Sequence, residues 1–180
     1  SAVTVTSGGG GTLIFTGRTT QNLTSAGKTL GNIRLLSPGG SLVLTDALTL
    51  ATTIITVNAG ELNLNNKNVS SFSTIQAAYN TVKTITLGSG TLTGSGGINL
   101  FASSFNQNTT FTANTATIVL TGSSPSIGID GQATSFGGNV SATSASAALT
   151  ILGDVTAGNL TLTAPTGTTV NTKLTLAGNL

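Results

Sequence analysis

The acidic side chains are the main candidates for acid–base or metal chemistry, because the sequence contains no histidine and no cysteine. Thiol nucleophiles, imidazole bases, disulfides and the usual ligands of transition metals are therefore absent. The acidic residues are Asp46, Glu61, Asp130 and Asp154. Glycoside hydrolysis needs two carboxyl groups facing each other across the scissile bond, and calcium sites need several carboxylate oxygens. Either chemistry requires a fold that brings these dispersed residues together.

The spacing of the four carboxylates argues against such a site. Asp46 and Glu61 are closer together than the twenty-residue repeat described below, and Asp130 and Asp154 are farther apart than that repeat. Neither pair matches the period, so we predict that the carboxylates do not converge. The sequence thus predicts no catalytic residues, no metal site and no cofactor, and a protein that is not an enzyme.

Phosphate and membrane ligands are not indicated either. The glycine run at 8–11 is followed by neither the Lys-Ser/Thr pair nor the helix of a phosphate-binding loop. The net charge of +2 comes from six scattered basic residues, whereas a nucleic-acid partner calls for a basic patch. No apolar run reaches the roughly 18 residues that suggest a membrane span. We therefore expect no nucleic-acid partner and no membrane insertion.

A tripeptide of glycine, asparagine and an apolar residue recurs at equal intervals near the end of the chain. Its copies are Gly138-Asn139-Val140, Gly158-Asn159-Leu160 and Gly178-Asn179-Leu180, which gives a twenty-residue period. A looser form, a glycine followed by alternating apolar residues, begins at Gly40 and again at Gly60. A fixed period of this length is typical of stacked repeats in which each unit buries its apolar face against its neighbours.

Short alternating segments between glycine-containing turns identify the repeat as β structure. Leu42-Val43-Leu44 and Leu62-Asn63-Leu64 are examples, and strands this short gain stability by pairing with their equivalents one repeat away. We predict one all-β parallel β-helix over residues 1–180, with rungs of about 20 residues that are least regular at about 65–136. The alternative is an antiparallel β-sandwich.

Register distinguishes these two folds. A parallel coil superposes Asn139, Asn159 and Asn179, whose amides can then form a hydrogen-bonded ladder. It also stacks Val140, Leu160 and Leu180 one above another. A sandwich has no reason to place these residues at equal intervals.

Two segments depart from the strand rhythm. Residues 74–82 offer apolar side chains at helical spacing, so a short helix competes there with a strand or an excursion loop. This segment contains Tyr79, which would lie on the surface and contact carbohydrate if the chain is a carbohydrate-binding module. Residues 94–136 carry Phe101, Phe105, Phe111 and Phe136, which we expect to stack inside the coil rather than form a ligand platform.

The string from Gly153 to Ala164, GDVTAGNLTLTA, resembles repeats of filamentous-haemagglutinin-type adhesins and autotransporter passenger domains. The strings GKTLGNI from Gly27 and GSLVLTDALTL from Gly40 are similar to repeats of large bacterial surface proteins and phage virion fibres. The resemblance implies a right-handed β-helix on an exterior surface, and it carries no catalytic residue across.

Together these patterns favour a non-enzymatic structural or adhesive β-solenoid module of an extracellular bacterial surface protein or self-assembling filament. Its expected partners are other copies of itself, stacked end to end or laterally, and a glycan or protein of a host surface. The alternatives are a segment of a bacteriophage virion fibre, located in the virion, and a carbohydrate-binding module. A polysaccharide-degrading enzyme is the least favoured hypothesis.

Overall fold

The computed structural model describes residues 2–4, 8–100, 108–143, 148–162, 167–170 and 173–176, and every regular element within them is a β-strand. The strands are β1 (Ala2–Thr4), β2 (Gly9–Phe15), β3 (Thr20–Thr24), β4 (Thr29–Leu44), β5 (Leu48–Asn63), β6 (Val69–Ala77), β7 (Lys83–Thr86), β8 (Thr91–Leu100), β9 (Thr109–Thr112), β10 (Thr117–Leu120), β11 (Ser126–Ala142), β12 (Ala148–Leu162), β13 (Gly167–Val170) and β14 (Lys173–Leu176).

Each strand pairs in parallel with the strand one coil away, and the pairings form three ladders around one core. The first ladder runs through β1, β3, the ends of β4 and β5, then β7 and β9. The second joins the starts of β4, β5, β6 and β8 to β10 and to the ends of β11 and β12. The third runs from β2 through the middle of β4 and β5 to β13. Long strands such as β4 bend from one ladder into the next.

The chain is therefore a β-solenoid of about 6 turns with coils of about 21 residues. The described pairings are all parallel, which excludes the antiparallel sandwich. The step between register partners is not constant. Thr29 pairs with Thr49, whereas Thr91 pairs with Thr117, which is a longer step along the chain.

One continuous apolar core fills the coil. Alternation along each strand points leucine, isoleucine and valine inward, and stacked partners such as Leu42 and Leu62 are both fully buried. Phe136 is buried and meets the half-buried Phe111 edge to face, with ring centroids 5.3 Å apart. The predicted interior position of these two aromatic residues is confirmed, whereas Phe101 and Phe105 lie outside the described residues.

The helix considered for residues 74–82 is wrong, and the strand alternative is right for the first half of the segment. β6 continues to Ala77, and Ile75 and Ala77 point inward on the strand period of two. The chain then turns at Tyr79, whose φ of 69° lies in the left-handed region. β-Branched residues before the turn favour the strand, because their side chains pack well on a pleated surface.

Candidate functional site

The predicted repeat corner is present where the structure describes it. Val140 and Leu160 are register partners and both are buried. Asn139 pairs with Asn159, whose Nδ2 donates a hydrogen bond of 2.7 Å to Asn139 Oδ1. Their third counterparts, Gly178, Asn179 and Leu180, lie outside the described residues.

The two corner glycines are required by the close approach of the preceding coil. A Cβ on Gly158 would lie 2.8 Å from the carbonyl oxygen of Gly138, and one on Gly138 would meet the carbonyl oxygen of Ala116 even more closely. Real Cβ atoms essentially never come under 3.0 Å of such neighbours. The repeat is thus a structural device that lets one coil pass directly over the last.

In the described part of the chain, no group of three or more acidic residues is placed so that it could hold a metal ion. The step between coils near Asp130 and Asp154 is longer than the twenty-residue repeat, but the two aspartates are still not register partners. Ser126 pairs with Thr150, so the local step between coils equals the separation of those two aspartates. A register shift after Gly128 places Asp154 opposite Ala133 instead.

Asp46 stabilises a turn in the preceding coil, at Ser25 and Ala26. Its carboxylate accepts hydrogen bonds from the backbone N–H of Ser25 at 2.8 Å, from the Ser25 hydroxyl at 3.0 Å and from the Ala26 N–H at 2.8 Å. Ala26 has a φ of 52°, so the turn contains a strained residue that these bonds help to hold. Partial burial opposes ionisation, but the hydrogen bonds from Ser25 and Ala26 outweigh it and lower the pKa of Asp46.

Replacing Asp46 tests the role of this turn. We expect Asp46→Ala to lower the free energy of unfolding by about 2 kcal/mol, because two N–H groups lose their charged acceptor. Asp46→Asn keeps one acceptor oxygen and serves as the milder variant. Urea unfolding at neutral pH measures both losses.

The same variants give a pH test. The folded pKa of Asp46 lies below the unfolded value of about 3.9, so its contribution is complete above that pH and is lost as the pH falls through the folded pKa. The stability difference between the unsubstituted chain and Asp46→Asn should therefore shrink in strong acid. A difference that stays constant there would mean that the carboxylate charge does not hold the turn.

Lys83 is a buried cation that the sequence patterns did not single out. It is 1% exposed, and its Nζ donates to the carbonyl oxygens of Tyr79 at 2.6 Å and Thr81 at 2.8 Å. Burial lowers the pKa of this amine. Its inward position was readable from the sequence, because Lys83 lies on the same face of the strand as the buried Ile85 and Leu87. Its contacts tie the turn after β6 to the start of β7, which is a structural role.

Tyr79 lies on the surface, as the surface-contact hypothesis requires, with 54% of its side chain exposed. It borders a shallow groove of about 420 Å³ on the outer side of the third ladder. The groove is also lined by Arg34, which the sequence patterns did not single out. The outward position of Arg34 was readable from the alternation in Ile33-Arg34-Leu35, where both flanking residues are buried.

The strands β1 and β2 expose a row of backbone groups at one end of the coil. In the described structure each pairs along one side only, β1 with β3 and β2 with β4. Val3 and Leu13 are half-buried against the core, whereas Ile33, the partner of Leu13 in the next coil, is 1% exposed. The apolar core therefore reaches the end of the described stack without a cover over these two side chains.

No helix in the part of the chain that the structure describes is long and apolar enough to cross a membrane. No protein-family model, no curated protein and no solved structure matches this chain.

Proposed function

We propose that this chain is a non-enzymatic structural module, a β-solenoid segment of an extracellular bacterial surface protein or of a self-assembling filament. A segment of a bacteriophage virion fibre is the alternative setting for the same mechanical role. The observation that carries the proposal is the parallel stack of coils around one apolar core, in which the described strands β1 and β2 each have a partner along one side. The repeat resemblance to adhesins and fibres supports the exterior location.

Self-assembly is expected because the unpaired strand edge of an end coil can pair with the strands of a second copy. Unpaired N–H and C=O groups in a row are a template for another strand, and proteins usually block them with proline, charge or a cover. Neither Ala2–Thr4 nor Gly9–Phe15 contains proline or a charged residue. A second copy that stacked here would extend the parallel ladders and bury Val3 and Leu13. Head-to-tail stacking of this kind generates filaments when the geometry does not close a ring.

The described carboxylates support a structural role over a catalytic one. Asp46 is engaged by the turn at Ser25 and Ala26. Glu61 accepts a hydrogen bond of 3.4 Å from the Asn63 amide nitrogen, also on β5. Both acidic groups thus have partners that belong to the scaffold.

Two neighbouring substitutions in β2 test the stacking. Leu13 faces the open core, whereas Ile14 faces sideways and is 56% exposed. We expect the purified protein to form assemblies whose size, measured by light scattering, grows with protein concentration. Negative-stain images should show these assemblies as rods. Leu13→Glu should abolish this growth, because it buries an unpaired charge in any stacked interface.

Ile14→Glu is the matched control. It adds the same charge one residue away, beside its register partner Arg34, and should leave end-to-end growth intact. Growth blocked by Ile14→Glu and not by Leu13→Glu would mean lateral association instead. A chain that stays monomeric at every concentration would refute self-assembly.

A further inference from the structure

The groove beside Tyr79 has features of a ligand site that a purely structural rod does not need. Its volume is about 420 Å³, and Arg34, Thr56, Asn58, Gln76 and Tyr79 are among its lining residues. Among the described residues that line the groove, Arg34 is the one that carries a charge. It forms no ion pair with any described residue. An unpaired cation in a concave surface attracts an anionic group.

The guanidinium of Arg34 is held in place by the side chain of Asn58. Asn58 is 2% exposed, and in the amide orientation that satisfies both groups its oxygen accepts from Arg34 Nε at 3.2 Å and Nη2 at 2.9 Å. Arginine has five N–H donors in a planar fork, so this contact leaves the Nη1 edge for another acceptor. A fixed guanidinium edge matches a carboxylate, which can accept two parallel hydrogen bonds.

Neutral hydrogen-bonding groups continue from Arg34 along the axis. Arg34 is the register partner of Thr56, and Thr56 is the register partner of Gln76. The three side chains therefore follow one another at steps of about 4.8 Å. Gln76 Nε2 donates to Thr56 Oγ1 at 3.1 Å, which leaves the Thr56 hydroxyl hydrogen and the Gln76 oxygen for a ligand. Such paired donors and acceptors suit sugar hydroxyl groups.

Tyr79 supplies the apolar contact. It has a φ of 69° and projects from the turn after β6 with about half of its surface in solvent. A large exposed aromatic ring beside a few convergent polar groups is typical of a ligand site, since the ring offers an apolar face with a polar tip. The chain thus places a cation, hydroxyl and amide groups and an aromatic ring in one groove.

We propose that this groove binds an acidic saccharide, with a uronic-acid carboxylate on Arg34, sugar hydroxyls on Thr56 and Gln76, and a sugar face against Tyr79. This site is independent of end-to-end stacking, because it lies on the lateral surface of the coil. A chain that does not self-associate can still bind, and stacked rods can fail to bind.

The sequence provides its own reporter, because Tyr79 is the single tyrosine and there is no tryptophan. We expect oligogalacturonate to change the tyrosine fluorescence of the purified chain to saturation, and the fully methyl-esterified oligomer to have little effect. Arg34→Gln should weaken the apparent affinity by about tenfold or more, since a charge-assisted contact is lost. Arg34→Lys keeps the charge without the fork and should also weaken it.

Arg18→Gln is the matched control, since it removes an equal charge from an exposed arginine that does not line the groove. It should bind as the unsubstituted chain does, and circular dichroism should confirm that every variant keeps its β-structure. The proposal is overturned if oligogalacturonate leaves the fluorescence unchanged, or if Arg18→Gln weakens binding as much as Arg34→Gln. Equal binding of a polyglutamate peptide would overturn the saccharide assignment.

Discussion

Replacing Phe72 with alanine is expected to lower the free energy of unfolding by about 3–5 kcal/mol. Phe72 is fully buried in β6, and it is among the largest side chains that have no exposed surface. Removing the ring loses its transfer free energy and leaves a cavity that stacked coils cannot easily close. A loss of this size is a large part of the roughly 5–15 kcal/mol that stabilises an ordinary domain. Urea unfolding followed by circular dichroism measures it.

Gly94 makes the prediction more specific. It is the register partner of Phe72 in the next coil, and a Cβ there would collide with the Phe72 ring. Gly94→Ala alone should therefore cost about 1–3 kcal/mol, and much of that cost should vanish when Phe72 is already alanine. Additive losses in this double-mutant cycle would contradict the packing of the ring over Gly94.

Val82→Ala is the control for the loss of apolar surface. Val82 is 77% exposed, so its truncation should change the free energy of unfolding by less than about 0.5 kcal/mol. A larger loss at Val82 than at Phe72 would place the stabilising core elsewhere.

The fold was predictable because two features of the sequence record the repeat. They are the regular spacing of the glycines and the alternation of apolar and polar residues. Gly40 and Gly60 begin segments that pair one coil apart, with Leu42 opposite Leu62. A stacked strand must repeat its inward side chains, so the apolar pattern records the register. The parallel arrangement followed from that register and not from the composition.

The corners were less predictable, because their length is free to vary while the ladders stay in register. Gly97 pairs with Ser126, which is a much longer step along the chain than the one from Asn139 to Asn159. Turns of variable length do not disturb the core, since loops tolerate insertions at small cost. A fixed period therefore does not give the local register around Asp130 and Asp154, where a shift within β11 places Asp154 opposite Ala133.

The candidate groove depends on contacts between coils that no local pattern displays. Asn58 and Arg34 are far apart in sequence, yet the amide fixes the guanidinium. Alternation alone places Arg34 on the outside and Lys83 on the inside of the coil. It does not reveal that Arg34 has a buried partner or that Lys83 meets the carbonyl groups of a turn. Those partners depend on the lengths of the intervening corners.

Three glycines at one corner allow backbone conformation and coil spacing to be separated as causes of stability. Gly39 has a φ of 75° and open space around a Cβ, whereas Gly40 has a backbone oxygen of Gly17 within the forbidden distance. Gly60 combines both features, with a φ of 90° and the carbonyl oxygen of Ser37 too close for a Cβ. Gly10 has neither and is the control.

We expect the loss in free energy of unfolding on substitution by alanine to be largest at Gly60, intermediate at Gly39 and Gly40, and smallest at Gly10. Gly39→Ala should cost about 1–2 kcal/mol, the usual penalty of a left-handed residue with a side chain. Gly40→Ala should cost about 1–3 kcal/mol, because the coil below must shift. Gly60→Ala should approach the sum of the two, and Gly10→Ala should be neutral or slightly stabilising, since alanine reduces the entropy of the unfolded chain. Urea midpoints of the four variants test the order. If Gly40→Ala were as harmless as Gly10→Ala, close backbone stacking at this corner would not be what requires glycine.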